Sequence, residues 1–270
     1  MNKVNIKISN VNIVHIKTRR VLMKRVLFIV ISLVSFVFAQ TSLQIAQKSF
    51  AQISNYKSSI SKVDMILKDA QNHINRRELI IKKLEGSNGD KSLIVFLYPK
   101  DIKDTKLLSY EKIGKDDKQW LYLPALKRVK RISSRNKSGS FVSSEFSYED
   151  IASTNYKNYT YQKDYEIVTK NGKKYFKITR IPKDRYSGYS KQVVYVDSKN
   201  YLLKYGEFYD KRNKLLKTIE FDYIKKPTTY RVTSIKIQNI QNKKSTQLFY
   251  KSDKIGVNLS NKDFSKRVLR

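Results

Sequence analysis

Hydrophobic positions recur at every second residue along most of this chain. Val63, Met65 and Leu67 alternate with Lys62, Asp64 and Lys68, the period of a half-buried strand. Residues 77–84 give a second strand and residues 86–90 a turn. Residues 92–98 form a nearly continuous apolar run that stops at Pro99. Residues 107–113 and 119–123 read as strands separated by the polar stretch 114–117. Residues 159–169 and 173–181 flank Asn171-Gly172, a strong two-residue hairpin signal. Further strands are predicted over 192–196, 201–209, 215–224, 230–240 and 246–251. Turns recur roughly every 13–16 residues, which implies strands of about ten residues. Long, sequential hairpins favour a strongly curved antiparallel sheet or barrel over a sandwich of short strands. One segment departs from this period. Leu43, Ala46, Phe50 and Ile53 fall at helical spacing behind Thr41 or Ser42 as the N-cap.

The first 39 residues have a different character. Met23-Lys24-Arg25 precedes an apolar run of about 13 residues that ends near the small Ala39, the layout of a secretory signal peptide. The run falls short of the roughly 20 residues of a bilayer span. We therefore expect residues 1–22 to be an upstream extension, 23–39 a cleaved signal peptide and 40–270 one exported domain.

Composition then narrows the chemistry. The chain has 56 Lys and Arg against 23 Asp and Glu, a net charge of +33. Such a charge either draws the protein to anionic surfaces or reflects codon usage that favours Lys, Asn and Ile. Export argues against nucleic acid as a partner. The absence of Cys removes disulfides and thiolate metal sites.

Catalytic constellations are scarce. Beyond the leader there is one histidine, His73, on a polar turn, with no nucleophile elbow, zinc motif or phosphate loop beside it. Asp116-Asp117 reads as a solvated turn. Glu149-Asp150 reads as a helix start, with Ser147 and Asp150 spaced as a capping box. The 19 Tyr and 12 Phe lie largely in predicted strands. They either fill a core or line a pocket for an apolar ligand.

The stretch 118–151 is the least generic part of the chain. QWLYLPALKRVKRI is followed by a Ser-Gly loop around Gly139 and then by FSYEDI. With FLYPKDIKDTKLLSYEK at 96–112 and NKDFSKR at 261–267, it resembles the outer-membrane lipoprotein-sorting proteins. These are LolA-like periplasmic carriers, often associated with RND/MMPL-type exporters. One departure is Asp104, where the family pattern usually has Gly; Asp tolerates left-handed backbone better than most residues.

The resemblance implies an α+β fold, a half-open, incomplete antiparallel β-barrel of about eleven strands with covering helices. It implies a periplasmic protein, not an enzyme and without a cofactor, whose cavity shields the acyl chains of a lipid or lipoprotein cargo. Phe96, Tyr98, Leu108, Tyr110, Trp120, Tyr122, Phe141 and Phe146 are the expected cavity residues. Val95, Leu97, Leu121 and Leu123 would then take the opposite face, an assignment that a one-residue slip would reverse. Arg128, Lys130 and Arg131 are candidates for contact with headgroups or a partner, or are simply solvated. The implied partners are the acylated cargo, an inner-membrane RND/MMPL-type transporter and, transiently, an anionic membrane surface. A sensor or accessory subunit of an envelope complex is the alternative role. An enzyme built on His73 or Glu149, and a scaffold for polyanions, stand further back.

Overall fold

Thr41 starts the fold with a reciprocal cap. Its hydroxyl accepts from the Gln44 amide and its own amide donates to the Gln44 side chain at 2.8 Å. Helix α1 (Ser42–Ile53) follows and buries Ile45 and Ala46. The computed structural model describes residues 40–152 and 155–270. The expected extension and signal peptide lie outside the described residues.

The chain then runs through β1 (Ser58–Lys68), β2 (Ile74–Leu84), β3 (Lys91–Tyr98), β4 (Lys106–Tyr110), β5 (Lys118–Leu123) and β6 (Arg128–Ile132). A covering segment ends in the short helix α2 (Tyr148–Ala152). After it come β7 (Tyr159–Tyr161), β8 (Glu166–Lys170), β9 (Lys173–Pro182), β10 (Tyr189–Asp197) and β11 (Leu203–Asp210). The last strands are β12 (Leu215–Lys225), β13 (Tyr230–Asn239) and β14 (Ser245–Ile255).

All fourteen strands form one antiparallel sheet, ordered β6-β5-β4-β3-β2-β1-β14-β13-β12-β11-β10-β9-β7, with β8 also on β9. The sheet does not close: β6 is one edge, and β7 and β8 share the other. The half-open antiparallel architecture thus stands, with more strands and less helix than expected. Part of the excess comes from residues 159–169, expected as one strand. They break into β7 and β8 because residues 163–164 dock the start of α1. Ser42 donates its hydroxyl to the Asp164 carbonyl at 3.0 Å there.

The concave face carries the main core. Val63, Met65, Leu79, Phe96, Leu107 and Ile237 are almost fully buried on it. A second core lies on the opposite face of β3–β5. There Phe264 and Leu269 of the C-terminal segment, both 0% exposed, cover Leu93, Leu108 and Trp120. Polar bonds fix this segment in place. The Tyr110 hydroxyl donates to the Phe264 carbonyl, and Lys106 Nζ donates to the Val268 carbonyl at 2.8 Å. Lys266 lies 4.6 Å over the Trp120 ring. Burying each of these side chains stabilises the fold by about 1.5–3 kcal/mol.

This arrangement predicts that the single tryptophan reports on the tail. Removing residues 261–270 should lower the unfolding temperature and red-shift Trp120 emission, and Phe264→Ala alone should cost ~3–5 kcal/mol in denaturant unfolding. Unchanged emission after truncation would contradict the packing described.

Candidate functional site

The concave face is roofed without being filled. Strands β9–β14 supply a floor that includes Ile178, Val194, Ile219 and Ile235. The roof has two parts. Helix α1 turns Ala46, Phe50 and Ile53 inward, and its far end is tied to the sheet where the Thr229 hydroxyl donates to the Gln52 carbonyl at 3.0 Å. The segment between β6 and β7 adds Phe146, Tyr156 and Tyr159, with the Phe50 and Tyr156 rings 5.6 Å apart. A cavity of about 210 Å³ remains between roof and floor.

Its lining is largely apolar and phenolic, with a charged end that includes Lys83, Glu85, Asp90 and Arg231. Tyr56, Tyr161, Tyr189, Tyr223 and Tyr250 face it. Burial pushes the phenols of Tyr161 and Tyr250 up to about 12, so these groups stay neutral across the physiological range. Internal bonds absorb some of the hydroxyls: Tyr223 donates to the Leu203 carbonyl at 2.9 Å, and Tyr161 to the Tyr156 carbonyl at 3.1 Å.

The covering segment is latched by ion pairing. Ser147 and Asp150 exchange the expected capping bonds, at 2.8 and 3.3 Å. Asp150 also accepts from Lys217 Nζ at 2.6 Å, with both side chains about 5% exposed or less, and from the Tyr189 hydroxyl at 2.8 Å. Glu149 accepts from the Ser187 hydroxyl at 2.7 Å and the Gly188 amide at 2.8 Å. Burial raises the Glu149 pKa, and these bonds partly counter it. The acidic pair therefore ties α2 to β10 and β12, a larger structural role than starting a helix. His73 is exposed in the β1–β2 turn, bonded to Asp69 at 2.9 Å, and does not line the cavity.

The expected cavity residues separate into three groups. Phe146 lines the cavity. Phe96 and Phe141 are on the concave side but completely buried against each other, with ring centroids 5.7 Å apart. Tyr98 is 54% exposed at the end of β3. Leu108, Tyr110, Trp120 and Tyr122 belong to the opposite face, under the C-terminal segment. The reason is cross-strand phase. Leu108 pairs with Leu93 and with Trp120, so this face continues into Leu93 and Val95 of β3, while Phe96 follows Ile94 to the other side. Leu121 and Leu123, expected outside, pack with the concave core.

In the covering segment Val142 (47°) and Ser143 (59°) have positive φ, and the Val142 carbonyl accepts from Arg77. A further expectation changes. Asp117 is half-buried instead of solvated, and burial pushes its carboxyl up to about 6. Arg128 and Arg131 are exposed on the edge strand β6, as is Lys130, and none of the three lines the cavity. Such charge on an edge also blocks the addition of further strands. Sequence reading missed α1 and β9–β14 as cavity walls. The period-2 aromatics of β9–β14 and the helical apolar face of α1 were the available signal.

Relatives place this geometry. A sequence family described as "uncharacterized protein" matches residues 88–270. The structure is similar to an outer-membrane lipoprotein-sorting protein domain from Vibrio parahaemolyticus, with 41% identity and a TM-score of 0.81 over 84% of this chain and 97% of that one. A DUF1329 family protein from Desulfovibrio piger shares 27% identity, with a TM-score of 0.78 over 84% and 97%. A LolA superfamily protein from Nitrosomonas europaea, at 20% identity, shares the fold with a TM-score of 0.70 over 85% and 99%. No curated protein matches the chain in sequence.

Two outcomes follow from the electrostatics. Lys217→Met strands the buried Asp150 carboxylate and should cost ~3–5 kcal/mol in urea unfolding, with Asp150→Asn added to it recovering most of the loss. Asp90, on the cavity wall, has its carboxyl pushed up to about 6, chiefly by burial and then by Glu111. A raised carboxyl binds its proton more tightly in the folded state, so ionised Asp90 weakens the fold at neutral pH, and protonation relieves this as pH falls from 7 towards 4. Asp90→Asn should therefore stabilise the protein by ~1–2 kcal/mol at pH 7.5, with the gain vanishing near pH 4. A gain independent of pH would refute this account.

Proposed function

This chain belongs to the family of outer-membrane lipoprotein-sorting proteins with the LolA-like fold, and on that premise we propose that it is a non-enzymatic periplasmic carrier. In this reading it shields the acyl chains of a lipid or lipoprotein in transit to, or sorting at, the outer membrane. The observation that carries the reading is the concave cavity of about 210 Å³, walled largely by apolar and phenolic side chains with a charged end, and roofed by α1 and the β6–β7 segment. An acyl chain in water is disfavoured by about 0.8 kcal/mol per CH₂, so a transit protein must bury it. Release to an acceptor requires that few directional bonds hold the chain. Tyrosine hydroxyls already committed to backbone carbonyls meet that requirement.

The same reading suggests the partners. A chain of net charge +33 is attracted to anionic membrane surfaces, more strongly at low salt. The exposed cations of β6 offer a contact for a headgroup or for the acidic surface of an RND/MMPL-type transporter. A sensor or accessory subunit would share the cavity and differ only in not delivering its ligand.

Purified protein should bind a fluorescent fatty-acid probe. Ile235→Trp, which fills the cavity, should weaken binding at least tenfold, while Trp120→Phe, on the opposite face, should leave it unchanged. Failure of every acyl probe to bind would sink the carrier reading. Binding without transfer to acceptor vesicles would assign the sensor role instead.

A further inference from the structure

One cation in the cavity has no partner. Leu79, Ile81 and Lys83 occupy successive positions on the concave face of β2; the first two are core, and the third reaches the cavity wall. Lys83 makes no hydrogen bond and no ion pair among the described residues. Burial pulls its pKa down, against the pull of Asp90, Glu111 and Asp253. Lys83 is half-buried, and its ammonium opens onto the cavity with no carboxylate within ion-pair distance.

The nearby cations are handled differently. Arg231, also on the cavity wall, is clamped by Asp253 through contacts of 2.7 and 3.0 Å, donates to Ser59 at 3.1 Å and lies 4.0 Å over the Tyr56 ring. Lys217 has Asp150 at 2.6 Å. The carboxylates near Lys83 are already engaged by backbone. Asp90 accepts from the Gly86 amide at 3.2 Å, and Glu85 from the Asn55 and Lys57 amides at 2.9 and 2.7 Å. Ser59, paired with Lys83 across the β1–β2 ladder, is committed to Arg231. Arg180, the third cation of the wall, donates to the Gln192 side chain at 2.8 Å, so of these three Lys83 alone has no hydrogen-bond or ion-pair partner among the described residues.

We infer that the cavity takes an acyl ligand with an anionic head group, and that the Lys83 ammonium is its counter-charge. This rests on the carrier reading and narrows it to anionic amphiphiles. The apolar floor holds the chain. Lys83 supplies one charge-assisted contact to a carboxylate or phosphate oxygen, while Arg231 stays paired with Asp253. An alcohol or amine of the same chain length would leave the ammonium unpaired and bind less well.

Displacement of the neutral probe N-phenyl-1-naphthylamine by dodecanoate, dodecyl phosphate and dodecanol tests this on the whole protein. Wild type should bind at least one of the anions ten or more times tighter than dodecanol. Lys83→Met should abolish that preference while changing dodecanol affinity less than threefold, and Lys83→Arg should restore it. Preference for dodecanoate alone points to a fatty acid, and preference for dodecyl phosphate alone to a phosphate-headed lipid; either supports the inference. Lys83→Met should also unfold at the same temperature as wild type or higher, because it removes an unpaired charge. If Lys83→Met keeps the anion preference, or wild type shows none while still binding dodecanol, the inference fails and the carrier reading survives. If no ligand displaces the probe, both fail.

Discussion

The sheet depends on one long-range ladder. Strands β1 to β6 form a local meander and β9 to β14 another; only the pairing of β1 with β14 makes them one surface. That ladder runs from Ser59↔Ile255 to Lys68↔Ser245, joining residues nearly the whole domain apart. Closing so long a loop costs little more than closing a medium one, because the entropy grows only with the logarithm of length. The register slips between Lys62 and Val63, and such a bulge bends the strand and increases its twist. Next to this seam Ser61 donates to Asp253 at 2.7 Å, and Asp253 clamps Arg231. The junction of the two meanders is therefore also the polar end of the cavity.

A curved sheet with an apolar concave face must be covered, and here the cover stops short of packing the interior. On one side α1 is held at its start by Asp164 and near its end by Thr229. On the other, the β6–β7 segment is pinned by Phe141, by Arg77 on the Val142 carbonyl, and by the Asp150–Lys217 pair. Buried ion pairs rarely stabilise more than a hydrophobic replacement would. What this pair adds is position. It fixes α2 over β10 and β12 at one register, so Phe146 and Tyr159 wall the cavity without collapsing into it. The opposite face of β3–β5, by contrast, is sealed by Phe264 and Leu269.

Local chemistry was readable residue by residue. The Thr41 cap with Gln44, the Asn171-Gly172 turn with φ of 51° and 71°, the strand ends at Tyr98 and Leu123, and the left-handed Asp104 at 63° all follow from short-range rules. The Ser147–Asp150 box is equally local. What alternation does not encode is which face of one strand continues into the next. In β4, Leu107 and Leu108 are both 0% exposed, so neither side is marked by polarity. The reason lies some 160 residues downstream, in a C-terminal segment whose Phe264 makes the outer face a second interior. Trp120, which the resemblance places at the cavity, belongs with the tail by its register.

The same distinction between burial and pairing bears on the cavity's chemistry. A pocket that offered apolar area alone would grade ligands by chain length, at about 0.8 kcal/mol for each CH₂ buried, and would accept any head group that stayed in water. A polar group held without a partner changes that scale. It penalises every ligand that leaves it unpaired, so discrimination arises from the wrong ligand's loss more than from the right ligand's gain. Arg231 and Lys217 exert no such selection, because Asp253 and Asp150 already satisfy them. Lys83 sits one position beyond Ile81 on a strand whose preceding inward residues are aliphatic. Leucine there would extend the core at no electrostatic cost. In the inferred role, an entering anion gives this half-buried lysine the contact that no carboxylate of the protein makes, which couples the stability of the carrier to the charge of what it carries.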